Sequence, residues 1–174
     1  MNLAFKEWSF IVDALGKGYQ SLILRKGGIS EEEGNFTLKG NKFLLLPTLY
    51  HQAKQLIKPD WLPRLDENKF QLGNNTVQLS YYVQVIDNRI ITDWNILQKL
   101  DSQHAWKEEI IQERFNRWDK SVHLLLLQVY ALKKPVELEL KPEYEGCKSW
   151  VTLDHEVDGA GTPVIYEKIK GTYF

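Results

Sequence analysis

The chain has 174 residues, a length typical of one domain, and we expect a single domain over residues 1–174. Its 22 Lys and Arg residues against 23 Asp and Glu residues give a formal net charge of -1. This balance excludes a strongly basic protein that coats nucleic acid, so any such contact must come from a local patch. The single cysteine, Cys147, excludes an intramolecular disulfide and a cysteine-rich zinc site.

The N-terminal residues lack the basic and apolar regions of a secretory signal, and no stretch approaches about 20 apolar residues. We therefore expect a cytoplasmic protein that makes no membrane contact.

The first elements have two interpretations. Apolar and polar residues alternate over residues 8–14, which predicts a strand with one buried face. With the glycines at 16–18 and the apolar run 19–25, this strand would form a β-hairpin. The alternative is an amphipathic helix over residues 5–15, because Phe5, Trp8 and Val12 also fit helical spacing.

The rest of the chain alternates between strand and helix patterns. Strands are predicted at residues 36–38, 42–46, 76–86, 122–132, 136–140, 150–153 and 164–169. Helices are predicted at residues 48–57, 93–100 and 105–118. The pattern predicts an α+β domain with a mixed or antiparallel sheet and two to four helices in the middle of the chain.

Cations and glycines follow the apolar run that ends at Leu24. Arg25, Lys26, Gly27 and Gly28 combine a guanidinium, an ammonium and flexible backbone amides, which suit a phosphate or a carboxylate. The alternative is an ordinary solvated hairpin end. No P-loop or dinucleotide fingerprint is present, so these two routes to nucleotide binding are not expected.

Tyr50, His51 and Gln52 lie near the N-terminus of the predicted helix 48–57, where free N–H groups favour an anion. A structural, hydrogen-bonded histidine is the alternative. Lys148, Ser149 and Trp150 offer a charge, a hydroxyl and a stacking surface after a glycine. We predict binding roles for both groups.

Catalytic motifs are not evident. Cys147 has no visible activating base, so we expect a small buried residue rather than a nucleophile. Asp119, Glu139 and Lys141 have the form of a restriction-type nuclease site, in which the acids hold Mg²⁺ and the lysine assists water. Such loose spacing also arises by chance. The four histidines lack ligand spacing. We expect no catalytic residue, no metal and no cofactor, and regard an enzyme as the weaker hypothesis.

Several motifs together resemble a bacterial family that is well represented in cyanobacteria, the domain-of-unknown-function family 1802. Some members occur with restriction-endonuclease-type domains, so the resemblance implies a role in restriction-modification or another nucleic-acid transaction. The sequence departs from the family pattern at Gln128, where an arginine is expected. The residues that carry the resemblance are Glu7, Trp8, residues 24–29, Phe43, Leu44, Pro47, Thr48, His51, Gln52 and residues 146–151.

The order of the elements is also similar to that of PUA-like β-barrel modules, which include readers of modified bases and RNA. The leading hypothesis is therefore a module that binds RNA, DNA or a nucleotide. Arg25, Lys26 and Lys148 would contact phosphate. The alternatives are the Mg²⁺-dependent nuclease and a protein-interaction subunit without a ligand; the oligomeric state stays open.

Overall fold

The computed structural model describes residues 1–26, 36–49 and 53–167. Within these ranges, eight strands form one sheet that is accompanied by four α-helices and three short 3-10 helices. The strands are β1 (Leu3–Trp8), β2 (Leu22–Arg25), β3 (Lys42–Thr48), β4 (Gln71–Gly73), β5 (Thr76–Ile91), β6 (Val122–Glu139), β7 (Trp150–Thr152) and β8 (Gly161–Pro163). The α-helices are α1 (Ser9–Gly16), α2 (Ala53–Leu56), α3 (Trp94–Lys99) and α4 (Glu108–Asn116). The 3-10 helices are Leu62–Arg64, Asp101–Gln103 and Pro142–Tyr144.

The sheet is mixed and curls into a half-barrel. Its strands lie in the order β2-β6-β5-β3-β1-β7, with β4 on β5 and β8 on β6. Strands β1 and β3 are parallel, and the other described pairs are antiparallel. The predicted α+β class with a mixed sheet is confirmed. No helix within the described residues is long and apolar enough to cross a membrane.

Strands β5 and β6 form the long hairpin at the centre of the sheet. Their register runs from Thr76 opposite Glu139 to Ile91 opposite Val122, with two irregularities that bend the sheet. The two strands predicted at 122–132 and 136–140 are one strand. Pro135 falls where β6 has no partner in β5, so its missing N–H interrupts no hydrogen bond of that ladder.

The predicted strand at residues 8–14 is wrong, because Trp8 ends β1 and the residues from Ser9 onward belong to α1. Every residue of α1 from Ser9 to Leu15 is buried, so the polar positions do not mark an exposed face. The carboxylate of Asp13 is buried and accepts hydrogen bonds from Lys17 (2.7 Å), Lys69 (2.8 Å) and the backbone N–H of Asp66 (2.9 Å). The polar positions Ser9 and Asp13 that suggested an exposed face are therefore buried.

Other predicted boundaries also shift. Residues 36–38 lie in no strand, and the helix predicted from 105 is shorter, since α4 begins at Glu108. Residues 164–167 are not a strand, while 168–169 lie outside the described residues; β8 precedes them. The helix predicted at 48–57 is described only as α2, because Thr48 belongs to β3 and residues 50–52 are outside the description.

The core lies on both faces of the sheet. In β3, Phe43 and Leu45 pack into the larger apolar cluster, whereas Leu44 and Leu46 pack into the smaller one. A strand that is covered on both faces has no polar side, which explains the continuous apolar run in this part of the sequence.

His104 is a buried histidine in this core and is 1% exposed. Burial lowers its pKa to about 3, and the positive charges of Lys58 and Arg114 act in the same direction, against a hydrogen bond with the backbone of Trp106. The imidazole is therefore neutral at pH 7.

This burial predicts an acid-sensitive stability. The unfolded-state pKa of a histidine is about 6.5, so between that value and about 3 the unfolded protein binds the extra proton. Stability that is present above pH 6.5 should be lost as the pH falls, at up to about 1.4 kcal/mol per pH unit. Urea unfolding of the wild type and His104→Gln from pH 7 to 4.5 should show a shallower slope for the variant. The exposed His155→Gln is the control, and equal slopes for wild type and His104→Gln would contradict the assignment.

Candidate functional site

A cavity of about 380 Å³ lies where β1 and β3 end. Because these strands are parallel and Trp8 pairs with Thr48, their carboxyl ends meet at the same edge of the sheet. We call this space the cationic cavity. Its lining residues are Lys6, Trp8, Arg25, Thr48, Leu49, Gly146, Cys147 and Lys148.

One wall of the cationic cavity is the segment that precedes β7. The backbone N–H of Lys6 donates to the carbonyl of Ser149 at 2.8 Å, which extends the β1–β7 ladder toward the cavity. Gly146 has a φ of 82°, a left-handed conformation that favours glycine. This turn directs the carbonyls of Tyr144 and Gly146 to the ammonium of Lys6, each at 2.8 Å.

Arg25 ends β2 and reaches across the open side of the sheet. Strands β2 and β7 lie at opposite ends of the strand order, yet Nη2 of Arg25 donates to Oγ of Ser149 at 2.8 Å. The guanidinium also lies 5.2 Å from the ring centroid of Phe5. Its buried Nε has no hydrogen-bond partner in the described parts of the chain.

The charge of the cationic cavity is one-sided. Lys6, Arg25 and Lys148 line it, and no carboxylate side chain belongs to the described lining. Burial lowers the pKa of Lys6, and the positive charges of Lys148 and Arg25 lower it further, against the opposing effects of Cys147 and Glu145. The site therefore has an excess of positive charge.

Two charged residues behind the cavity were not predicted as part of a site. Arg114 of α4 donates to the carbonyl of Leu24 at 3.1 Å, and its guanidinium lies 4.0 Å from the ring of Trp106. Burial lowers its pKa to about 10, whereas the negative charge of Glu7 raises it, so Arg114 stays charged at pH 7. Glu7 is 2% exposed and accepts from the backbone N–H of Trp8.

Sequence reasoning missed several residues of this site. Lys6 and Trp8 line the cavity, although neither was a predicted site residue. Trp8 and Glu7 were among the residues that carry the family resemblance, and that was the available signal. Arg114 gave none, since on an amphipathic helix it is indistinguishable from a solvated arginine.

The structure places Lys26 outside the lining of the cationic cavity. The residue is 8% exposed, and its ammonium donates to the backbone carbonyls of Asp119 (2.7 Å) and Ser121 (2.8 Å). It also binds the carboxylate of Asp119 and contacts Oγ of Ser121 at 3.3 Å. Lys26 fastens the loop before β6 to the end of β2.

Ser149 and Trp150 are buried residues that do not belong to the lining of the cationic cavity. Ser149 is 1% exposed and accepts the hydrogen bond from Arg25. Trp150 is 8% exposed, donates from Nε1 to the carbonyl of Thr37 at 2.8 Å, and has its ring 4.9 Å from those of both Phe5 and Phe43. Its ring belongs to the core.

Five predicted site residues lie outside the described residues: Gly27, Gly28, Tyr50, His51 and Gln52. Their binding roles stay predictions. Of the predicted residues that the structure describes, Arg25 and Lys148 line one cavity, and Ser149 is hydrogen-bonded to Arg25.

The prediction that Cys147 is buried is wrong. The sequence predicted a small buried residue, whereas its free thiol is exposed and lines the cationic cavity. The residue lies in the turn after Gly146, outside any strand that would cover it.

The structure does not assemble the nuclease trio. Asp119 precedes β6 and Glu139 ends it, so the two carboxylates flank an 18-residue strand at opposite ends. Asp119 is bound to Lys26, and Lys141 is paired with Asp154. Within residues 1–26, 36–49 and 53–167, no cluster of three metal-ligating side chains is present.

The role of Lys26 as a structural residue is testable. In Lys26→Met, the carbonyls of Asp119 and Ser121 lose their donor, so the free energy of unfolding should fall by about 1–3 kcal/mol. The neighbouring Lys120→Met, at an exposed position, should change it by less than about 0.5 kcal/mol. Urea unfolding at pH 7 measures both. Equal stability of the two variants would contradict this role.

Solved structures of other proteins share this architecture. The chain resembles a serine-to-alanine variant of the ASCH protein of Zymomonas mobilis, with a TM-score of 0.54 and 8% identity over 87% of both chains. It also resembles a tyrosine-to-phenylalanine variant of that protein, with a TM-score of 0.52 and 9% identity over 87% of this chain and 88% of the other. ASCH domains are PUA-like, so the expected PUA-like architecture is confirmed at the level of the fold.

No curated protein matches the chain significantly. A family model does match, over residues 4–169, and its description is "Domain of unknown function (DUF1802)". The match covers nearly the whole chain, and the protein belongs to the DUF1802 family.

Proposed function

We propose that this protein is a nucleic-acid or nucleotide binding module whose cationic cavity holds a phosphate. The observation that carries the proposal is the concave site with three cationic side chains, Lys6, Arg25 and Lys148, and no carboxylate in its described lining. Its volume of about 380 Å³ lies in the range of small-molecule sites.

The chemistry of these side chains suits phosphate. The guanidinium of Arg25 offers planar paired donors, and the ammonium groups of Lys6 and Lys148 add compact charges. A concave wall concentrates the field of such charges, so a local site can attract an anion although the net charge of the chain is -1.

The family and the fold give weaker support. PUA-like modules include RNA readers, which favours RNA among the candidate ligands, by analogy of fold alone. A link to restriction-modification is the finer proposal, and it rests on the resemblance to family members that accompany endonuclease-type domains. A ligand-free interaction subunit would be favoured by an apolar surface without a polar cavity, so the cationic cavity favours binding.

The test is a titration of fluorescently labelled single-stranded RNA at low and moderate salt. Lys148→Ala and Arg25→Lys should each weaken binding about tenfold, the effect of losing one charge-assisted contact of about 1.4 kcal/mol. Affinity should fall as salt rises, because phosphate contacts release counterions.

The matched control is Lys134→Ala, which removes one exposed lysine of β6 that does not line the cationic cavity. It should bind as the wild type does. No affinity for RNA, DNA or nucleotides at low salt would reject the proposed function. An equal loss in all three variants would indicate non-specific attraction.

A further inference from the structure

We infer that the cationic cavity selects a terminal phosphomonoester, as in a nucleoside monophosphate or a phosphorylated strand end, over an internal phosphodiester. This inference rests on the proposed function and specifies its ligand class. It follows from the charge of the cavity, the number of its hydrogen-bond donors and the shape of its walls.

The charge favours a dianion. Three cationic side chains face one space, and no carboxylate lines its described part. The mutual repulsion is evident in Lys6, whose pKa is lowered by burial and then by Lys148 and Arg25. A phosphomonoester carries a charge of about -1.5 to -2 at pH 7 because its second pKa is about 6. A phosphodiester carries only one negative charge, so it relieves less of this repulsion.

The donors come from three separate segments. The ammonium of Lys6 uses two of its three N–H groups on the carbonyls of Tyr144 and Gly146, which leaves one. Arg25 binds Ser149 through Nη2, while its Nε has no partner among the described residues. The ammonium of Lys148 donates to the carbonyl of Glu143 and has further N–H groups.

This number of donor segments matches a phosphomonoester. Its three terminal oxygens can accept one hydrogen bond each from Lys6, Arg25 and Lys148. A phosphodiester offers only two such oxygens, so at least two of the three cations would have to share one oxygen.

The walls also favour a chain end. The lining of the site comes from the ends of β1 and β3, from Arg25 of β2 and from the turn at Gly146. An internal phosphodiester continues into a nucleoside on both sides, and both must leave the recess. A terminal phosphate continues on one side only.

The main experiment compares two RNA decamers of identical sequence, one with a 5′-phosphate and one with a 5′-hydroxyl, by calorimetry at pH 7.5. The phosphorylated decamer should bind at least tenfold more tightly. The same preference is expected for adenosine 5′-monophosphate over its methyl phosphodiester. Both comparisons vary the phosphate and leave the base unchanged.

The pH dependence separates the charge of the ligand from titration of the protein. As the pH falls from 7.5 to 5, the monoester becomes a monoanion. The ratio of its affinity to that of the methyl diester should therefore fall toward one. Charged and titratable groups near the site belong to the same unbound protein in both titrations, so their protonation before binding cancels in the ratio. They are Lys6, Arg25, Cys147, Lys148, Glu145, Glu7, Arg114 and His123, which pairs with Arg25 in the β2–β6 register.

Variants assign the preference to the cationic cavity. Lys148→Ala should reduce the preference at least fivefold, whereas Lys134→Ala should leave it unchanged. Equal, Lys148-dependent binding of both decamers would overturn the inference and leave the proposed function standing. A preference that persists in both Lys148→Ala and Arg25→Lys would place the selectivity elsewhere and overturn it as well. Absence of all binding would reject the proposed function together with the inference.

Discussion

The hydrogen bond from Arg25 to Ser149 joins the two edges of the curled sheet. Strand β2 begins the strand order and β7 ends it, so no backbone ladder connects them directly. The 2.8 Å contact between Nη2 of Arg25 and Oγ of Ser149 spans this opening, beside the packed rings of Phe5 and Trp150. The same guanidinium lines the cationic cavity, so the closure of the fold also positions a charge in the candidate site.

The protein treats its partly buried cations in two ways. The ammonium of Lys26 is surrounded by four oxygen atoms of the loop at residues 119–121, so its hydrogen bonds are made within the protein. Among the cations of the cavity, Arg25 has an Nε without a hydrogen-bond partner among the described residues. The charges of Arg25 and Lys148 lower the pKa of Lys6. The proposed function rests on these three cations and on the absence of a carboxylate from the described lining of the cationic cavity.

The sequence predicted the elements whose pattern is local. The apolar stretches within β3, β5 and β6 were recognised because one face or both faces of these strands lie against apolar neighbours along their length. Arg25 was selected because it follows an apolar run and precedes glycines, and Lys148 because it offers a charge in the stretch after Gly146; both line the cavity. Their role as ligands is the part that stays a prediction.

The remaining features depended on partners that are remote in the chain. The sequence pattern placed Asp13 on the exposed face of a strand. In the structure its carboxylate is buried and accepts a hydrogen bond from Lys69, 56 residues later in the chain. The sequence predicted Lys26 and Arg25 equally as phosphate ligands, and in the fold the ammonium of Lys26 binds Asp119, 93 residues away. The guanidinium of Arg25 instead donates a hydrogen bond to Ser149, 124 residues away. Periodicity reports the average polarity of a local surface, so the sequence alone determined the apolar strands β3, β5 and β6 and two of the cations of the cavity, Arg25 and Lys148. Only the tertiary structure decided which charges are neutralised, because that depends on contacts between segments distant in sequence.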